Sequence, residues 1–155
     1  MTMRFLPINE HNLHIAHEIY NSNPSYNRLE NGKPTRTMQE MRDEFLQDKT
    51  ESYLIYSAST PVAVLDFLPH NPKDGFPWIG LMMVNGQFHS KGFGAKAYQL
   101  FERKLVERGF TSIRLAVLKN NVSGKMFWNK MGFSFYQMST VGENDVECLE
   151  RTVSP

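Results

Sequence analysis

Apolar positions along this chain recur in two rhythms, every second residue and every third or fourth, and their alternation lays out its elements. Residues 3–6 read as a short first strand closed by Pro7. Asn9 stands where a cap is needed ahead of Leu13, Ala16 and Tyr20, which share one face of a helix reaching residue 20. Residues 21–36 are rich in Asn, Ser, Pro and Gly and predict a long loop. Thr37 followed by Glu40 is a capping-box pattern, in which hydroxyl and carboxylate satisfy each other's backbone amides, and it opens a helix to residues 45–46. Residues 52–58 and 62–68 are apolar runs around Ser59, Thr60 and Pro61, a hairpin signal. A Pro-rich loop at 69–77 precedes a third strand at 78–84. A helix is expected over 91–109, with Tyr98, Phe101 and Leu105 on one face, then a strand over 111–118. A second helix over 121–131 is stopped by Gly132, and final strands at 133–138 and 146–152 flank a turn containing Gly142. The order β-α-α-β-β-β-α-β-α-β-β predicts a mixed α/β (α+β) domain covering residues 1–155, with no linker or repeat to divide it.

Composition matters mainly for what it excludes. A chain of 155 residues can bury one substantial core, and 17 basic against 16 acidic side chains leave a net charge of +1. That is not the strongly basic surface of a general nucleic-acid binder, so no nucleic-acid partner is expected. The charge is nevertheless uneven: −3 over residues 1–88, +7 over 89–130 and −3 over 131–155. Such a block is either a solvated helix face or a site for one anionic ligand. Cys148 is the single cysteine, so no intramolecular disulfide forms and the reducing cytosol is the natural compartment; in a late strand it reads as a small core residue. The first ten residues show no basic region followed by an apolar run, and no run approaches the roughly 18 apolar residues of a membrane helix. A soluble, cytoplasmic protein with no membrane partner is expected. His11, His14 and His17 recur every third residue, but with no Cys or carboxylate cluster beside them they read as a polar helix face, and no metal is expected.

The chemistry concentrates in two turns. The first runs from the strand ending at Met82, Met83 and Val84 through His89, Ser90, Lys91, Gly92, Phe93, Gly94 and Ala95 into a helix. Gly92 and Gly94 let backbone amides approach a ligand closely, and the first amides of the helix lack internal partners at the positive end of its dipole. Phosphate fits that environment, with His89, Lys91 and Lys96 around it. No Gly-Lys-Ser/Thr closes the turn, so it is not a Walker loop. In the second turn Asn121 precedes Trp128 by seven residues, so that Asn121, Gly124 or Lys125, and Trp128 lie along one helix face. Asn121 suits a helix cap as well as a ligand contact, and Phe127 suits the core.

Together, His89-Ser90-Lys91-Gly92-Phe93-Gly94-Ala95 and Asn121 with Phe127-Trp128-Asn129-Lys130-Met131-Gly132-Phe133 resemble the GNAT superfamily of acetyl-CoA-dependent N-acetyltransferases, over about residues 78–136. The resemblance implies a central mixed, mostly antiparallel sheet of about seven strands flanked by about four helices. It implies that backbone groups of Met82, Met83 and Val84 pair with the pantetheine arm of acetyl-CoA and that amides of His89, Ser90, Lys91, Gly92, Phe93, Gly94 and Ala95 hold its pyrophosphate. Asn121, with Gly124 beside it, would contact the pantetheine or an ordered water, and Lys125 and Lys130 would lie near the adenosine phosphate. The +7 block then has a ligand of opposite sign.

The sequence departs from the family pattern at His89, where the loop's leading residue is Gln or Arg, and two further departures shape the expected reaction, direct attack of a primary amine of a small molecule or peptide on the thioester. Trp128 stands where many relatives carry a tyrosine general acid, and an indole N–H donates a hydrogen bond but is no practical acid. Tyr136 is the nearest phenol by sequence, equally readable as a packed aromatic. Many relatives place a glutamate on the strand that here spans 78–84, which holds no carboxylate. Asp66, interrupting an apolar strand, is the expected replacement as base if buried there, and otherwise a solvent-facing strand residue; His70 and His89 follow. The amide of Met83 or Val84 would polarise the carbonyl. Residues 20–36, 68–78 and the last hairpin would shape the acceptor site, with Tyr20, Tyr26, Phe76 and Trp78 as apolar walls and Glu30, Asp66 and Asp74 attracting a cation. The resemblance also raises a homodimer, since family members are often dimers. A non-catalytic acyl-CoA-binding sensor is the alternative from another class, and a site for other nucleotides a third.

Overall fold

The computed structural model describes residues 2–155. In chain order the elements are β1 (Met3–Pro7), α1 (Leu13–Asn21), α2 (Pro24–Asn31), α3 (Met38–Phe45), β2 (Glu51–Ser57), β3 (Thr60–Leu68), β4 (Trp78–Val84), α4 (Phe93–Glu107), β5 (Ser112–Leu118), α5 (Val122–Lys130), β6 (Ser134–Val141) and β7 (Asn144–Thr152). The seven strands form one sheet in the order β1-β2-β3-β4-β5-β7-β6. Every neighbouring pair is antiparallel except β4 and β5, which run parallel and meet only at Trp78↔Arg114 and Ile79↔Leu115.

Side chains of a strand alternate between its two faces, and β3 shows both faces covered. Ala63, Leu65 and Phe67 join the core under α4, packing with Tyr98, Phe101 and Leu105. Val64 faces the other way, with Leu54, Leu81 and Met83, against Leu13, Ala16 and Ile19 of α1 and Met41 and Phe45 of α3. Asp66 is on that second face, and burial of both faces is why β3 reads as a continuous apolar run. Cys148 is buried on β7, as a small core residue.

The capping box at Thr37 and Glu40 forms in both directions, the hydroxyl accepting from the Glu40 amide and the carboxylate from the Thr37 amide. The stretch expected to be a loop at 21–36 contains a fifth helix, α2. Pro24 sits in its first turn, where a missing N–H loses nothing, and Gly32 closes it in the left-handed conformation at φ 82°. The helix is held by tertiary bonds: Asn27, fully buried, donates to the carbonyls of Tyr20 and Pro34. Asn9 caps a turn preceding α1 rather than α1 itself, its Oδ1 accepting from the amides of His11 and Asn12. His17 Nε2 contacts the carbonyl of Arg36 at 2.7 Å, so this ring anchors the α2–α3 connection.

Candidate active site

The parting of β4 from β5 builds the site. The amide of Asn85 donates to the carbonyl of Val62 at 2.7 Å, which makes Val62:Asn85, Val64:Met83 and Asp66:Leu81 the hydrogen-bonded pairs of the β3–β4 ladder. Met82 and Val84, in the pairs between them, therefore turn their amides and carbonyls away from β3. Past Ile79 no strand meets them, and a cavity of about 610 Å³ fills the gap between β4 and the end of β5. Met83, expected to offer backbone groups to a ligand, spends them on Val64, so the open edge belongs to Met82 and Val84. The carbonyl of Val84 also accepts from Asn23 Nδ2 at 3.0 Å, with His89 Nε2 at 3.2 Å. Asn23 is buried, lines the cavity and was not expected in the site.

At one end the cavity meets the turn into α4. Ser90 and Gly92 are both left-handed, at φ 62° and 82°, and Gly92 is the helix N-cap with no side chain capping it. The amides of Phe93, Gly94 and Ala95 thus begin the helix without internal partners, at its positive dipole end. A β-carbon on Gly92 would meet no atom of the described residues within 4 Å, so the turn is open at this N-cap. One on Gly94 would press at 3.3 Å on Phe127 and on Val84, so a glycine is what lets α4 seat against α5. Of the expected phosphate-side residues, His89, Ser90, Gly92, Phe93, Gly94, Ala95 and Lys130 line the cavity, and Lys91 is exposed on the turn. Lys125 is drawn off: its Nζ bonds Glu147 at 2.8 Å and it does not line the cavity. Arg108 and Arg114 of the basic block are likewise paired, to Glu51 and to Asp74 and Glu150. Lys91, Lys96 and Lys130, on or beside this turn and the cavity, make no ion pair among the described residues.

Asn121 does two things at once. Its Oδ1 accepts from the Gly124 amide at 3.0 Å, capping α5, while the residue lines the cavity. Trp128 lines it too, wedged edge-on against Tyr98, Phe127 and Phe133 with centroids 4.8–5.4 Å apart. Phe127, expected only as core, also reaches the cavity.

Asp66 is 4% exposed, and Ser52 Oγ donates to its Oδ1 at 2.6 Å. Burial raises its pKa, opposed by the hydroxyls of Ser52 and Thr50. Glu44, on α3 and not anticipated from sequence, is pushed up from 4.5 to about 7 by burial and then by the charge of Asp66, with Arg36 acting against both. The other expected acidic residues are engaged. Glu30 accepts from the phenols of Tyr20 at 3.1 Å and Tyr26 at 2.8 Å and pairs with Arg36. Asp74 accepts from Trp78 Nε1 at 2.9 Å and from Arg114. Tyr26 lines the cavity, its phenol raised to about 12 chiefly by burial. Asn144 in the last hairpin donates to the Glu30 carbonyl at 2.6 Å, tying that hairpin to α2. His70 sits in the 69–77 loop against Gly75. Tyr136 is not brought to the cavity: its ring lies 4.6 Å from the Arg114 guanidinium.

An anionic ligand with a long polar arm and a phosphate end fits what these residues offer, free strand-edge groups at Met82 and the Val84 amide running into uncapped helix amides. The sequence profile of the acetyltransferase (GNAT) family matches residues 14–133. Solved structures agree on the fold. An acetyltransferase from Thermus thermophilus superposes at a TM-score of 0.82 with 18% identity, covering 99% of this chain and 98% of that one. An acetyltransferase that modifies the N-terminal serine of ribosomal protein L7/L12, from Salmonella typhimurium, superposes at 0.79 with 16% identity, covering 99% and 96%. A ribosomal L7/L12 N-acetyltransferase in complex with coenzyme A does so at 0.78 with 15% identity, covering 99% and 95%. No curated protein matches significantly in sequence. Among the described residues no helix is long and apolar enough to cross a membrane. The chain belongs to the acetyltransferase (GNAT) family, and acetyl-CoA is its co-substrate.

Proposed function

We propose that the protein transfers the acetyl group of acetyl-CoA to a primary amine of a small molecule or a peptide. The observation that carries this reading is the open edge of β4 at Met82 and the Val84 amide, continuous with the free amides of α4, with the Asp66 carboxylate one strand away. We assign Met82 and Val84 to the pantetheine arm, with the Val84 amide as the donor that polarises the thioester carbonyl. The α4 amides and Lys130 hold the phosphates, and Asn121 flanks the arm. An aliphatic ammonium has a pKa of about 10.4 and no free lone pair. Asp66 is the base we assign to it, because burial raises its proton affinity toward the working range. Trp128 closes the apolar wall beside the arm, and the departing thiolate takes its proton from water.

Two proteins of the same fold acetylate the N-terminus of ribosomal protein L7/L12, which supports a peptide α-amine among the acceptors to be tried. The lone Cys148 supports a reducing, cytoplasmic setting. The test is thiol release from acetyl-CoA across a panel of small amines and peptides with free N-termini. Release dependent on one acceptor class supports the assignment. Tight acetyl-CoA binding with no release on any acceptor would turn it to an acyl-CoA-binding sensor.

A further inference from the structure

Gly80 stands in the middle of β4 between the buried Ile79 and Leu81, yet it is itself exposed and lines the cavity. Glycine in a strand interior is disfavoured by about 0.5–1 kcal/mol. The backbone does not ask for one here, since Gly80 is not among the residues with positive φ. The missing side chain leaves access instead. A β-carbon at this position would lie 3.4 Å from Asp66 Oδ2 and 3.7 Å from the Asp66 carbonyl, and the nearest atoms it would meet all belong to Asp66. Asp66 is 4% exposed and does not line the cavity, whereas Gly80 does. The register produces this: the β3–β4 pairing shifts between Asp66 and Phe67, opposite Leu81 and Ile79, leaving Gly80 unpaired beside the carboxylate.

We infer that Gly80 is the port through which the proton of the acceptor ammonium reaches Asp66, a positioning residue for the transfer. The inference rests on Asp66 being the base. The point where a β-carbon would stand lies 3.4 Å from Asp66 Oδ2, within reach of an N–H or of a water placed there. One ammonium proton passes to Asp66 Oδ2, freeing the nitrogen lone pair. The N–C bond then forms at the thioester carbonyl and the C–S bond breaks. The second N–H proton leaves with the thiolate through water, and Asp66 returns its own proton to solvent. Groups around Asp66 are Ser52 of β2, Thr50 just before it, and Glu44 of α3, itself opposed by Arg36; β4 contributes no titratable group.

Gly80→Ala tests the port, because 3.4 Å is an ordinary contact distance and the backbone accepts an L side chain. The expected result is a melting temperature within a few degrees of wild type and an acetyl-CoA Kd within twofold. kcat/KM for the amine should fall at least tenfold, and the acid limb of its pH profile should move to higher pH as the methyl shields the carboxylate from water. The double variant with Asp66→Asn separates this from a structural effect. If Gly80 acts through Asp66, Gly80→Ala adds less than twofold once Asp66 is Asn. Wild-type kcat/KM in Gly80→Ala, a full tenfold loss added in the Asp66→Asn background, or an equal loss of acetyl-CoA affinity would each overturn the port. Wild-type turnover by Asp66→Asn alone would overturn the base assignment on which it stands.

Discussion

Glu44 offers the clearest quantitative prediction, because a carboxylate with a pKa near about 7 in the fold and 4.5 in the open chain couples folding to pH. Between those two values the unfolded chain has lost a proton that the folded protein keeps. Glu44 therefore contributes stability below about pH 4.5, and that contribution is lost as pH rises through about 7. At about 1.4 kcal/mol per pH unit the interval sets a ceiling of about 3 kcal/mol, and partial exposure of the side chain brings the expected figure to about 2 kcal/mol. Glu44→Gln has no proton to lose. It should melt about 4–8 °C above wild type at pH 8 and within about 1 °C of it at pH 4. Thermal melts of the two proteins at several pH values give this difference directly. An equal difference at pH 4 and pH 8 would refute the reasoning, since it would show that packing rather than charge burial separates the variants.

Gly92→Asp places a carboxylate before the open α4 amides, where no atom obstructs it. It should keep the fold, with a strain of about 1–2 kcal/mol from the left-handed φ, and lower acetyl-CoA affinity at least a hundredfold by calorimetry. Lys130→Met should weaken acetyl-CoA several-fold and flatten its salt dependence, whereas Lys125→Met, whose ammonium is spent on Glu147, should change Kd less than threefold.

The parts of the fold visible in the sequence are those where local chemistry and tertiary packing agree. Thr37 and Glu40 announced a helix that the structure caps in that way, and the apolar run around Asp66 announced a hairpin strand, whose burial on both faces the structure adds. The turn at Gly92 was legible because its amides are offered by backbone geometry, not by any partner. α2 was hidden because its stability comes from outside it. Asn27, Pro24 and Ser25 look like loop residues until Tyr20 and Pro34 supply the carbonyls that Asn27 binds. Glu44 was hidden because its proton affinity depends on how close α3 lies to β3, which no spacing on α3 encodes. Tyr136 misled for the converse reason, since nearness in sequence does not carry it past Arg114 to the cavity. Gly80 was printed within Trp78-Ile79-Gly80-Leu81, and a glycine inside an apolar strand was a usable signal. Its meaning needed the register that sets it beside Asp66.

The central claim is that Asp66 accepts the proton of the attacking amine, and the pH profile of kcat/KM for Asp66→Asn beside wild type addresses it most directly. The account predicts a loss of at least a hundredfold near neutral pH and disappearance of the acid limb, with acetyl-CoA affinity unchanged. Retention of that limb at near-wild-type turnover would contradict it and return the search for the base to His89 and Glu44.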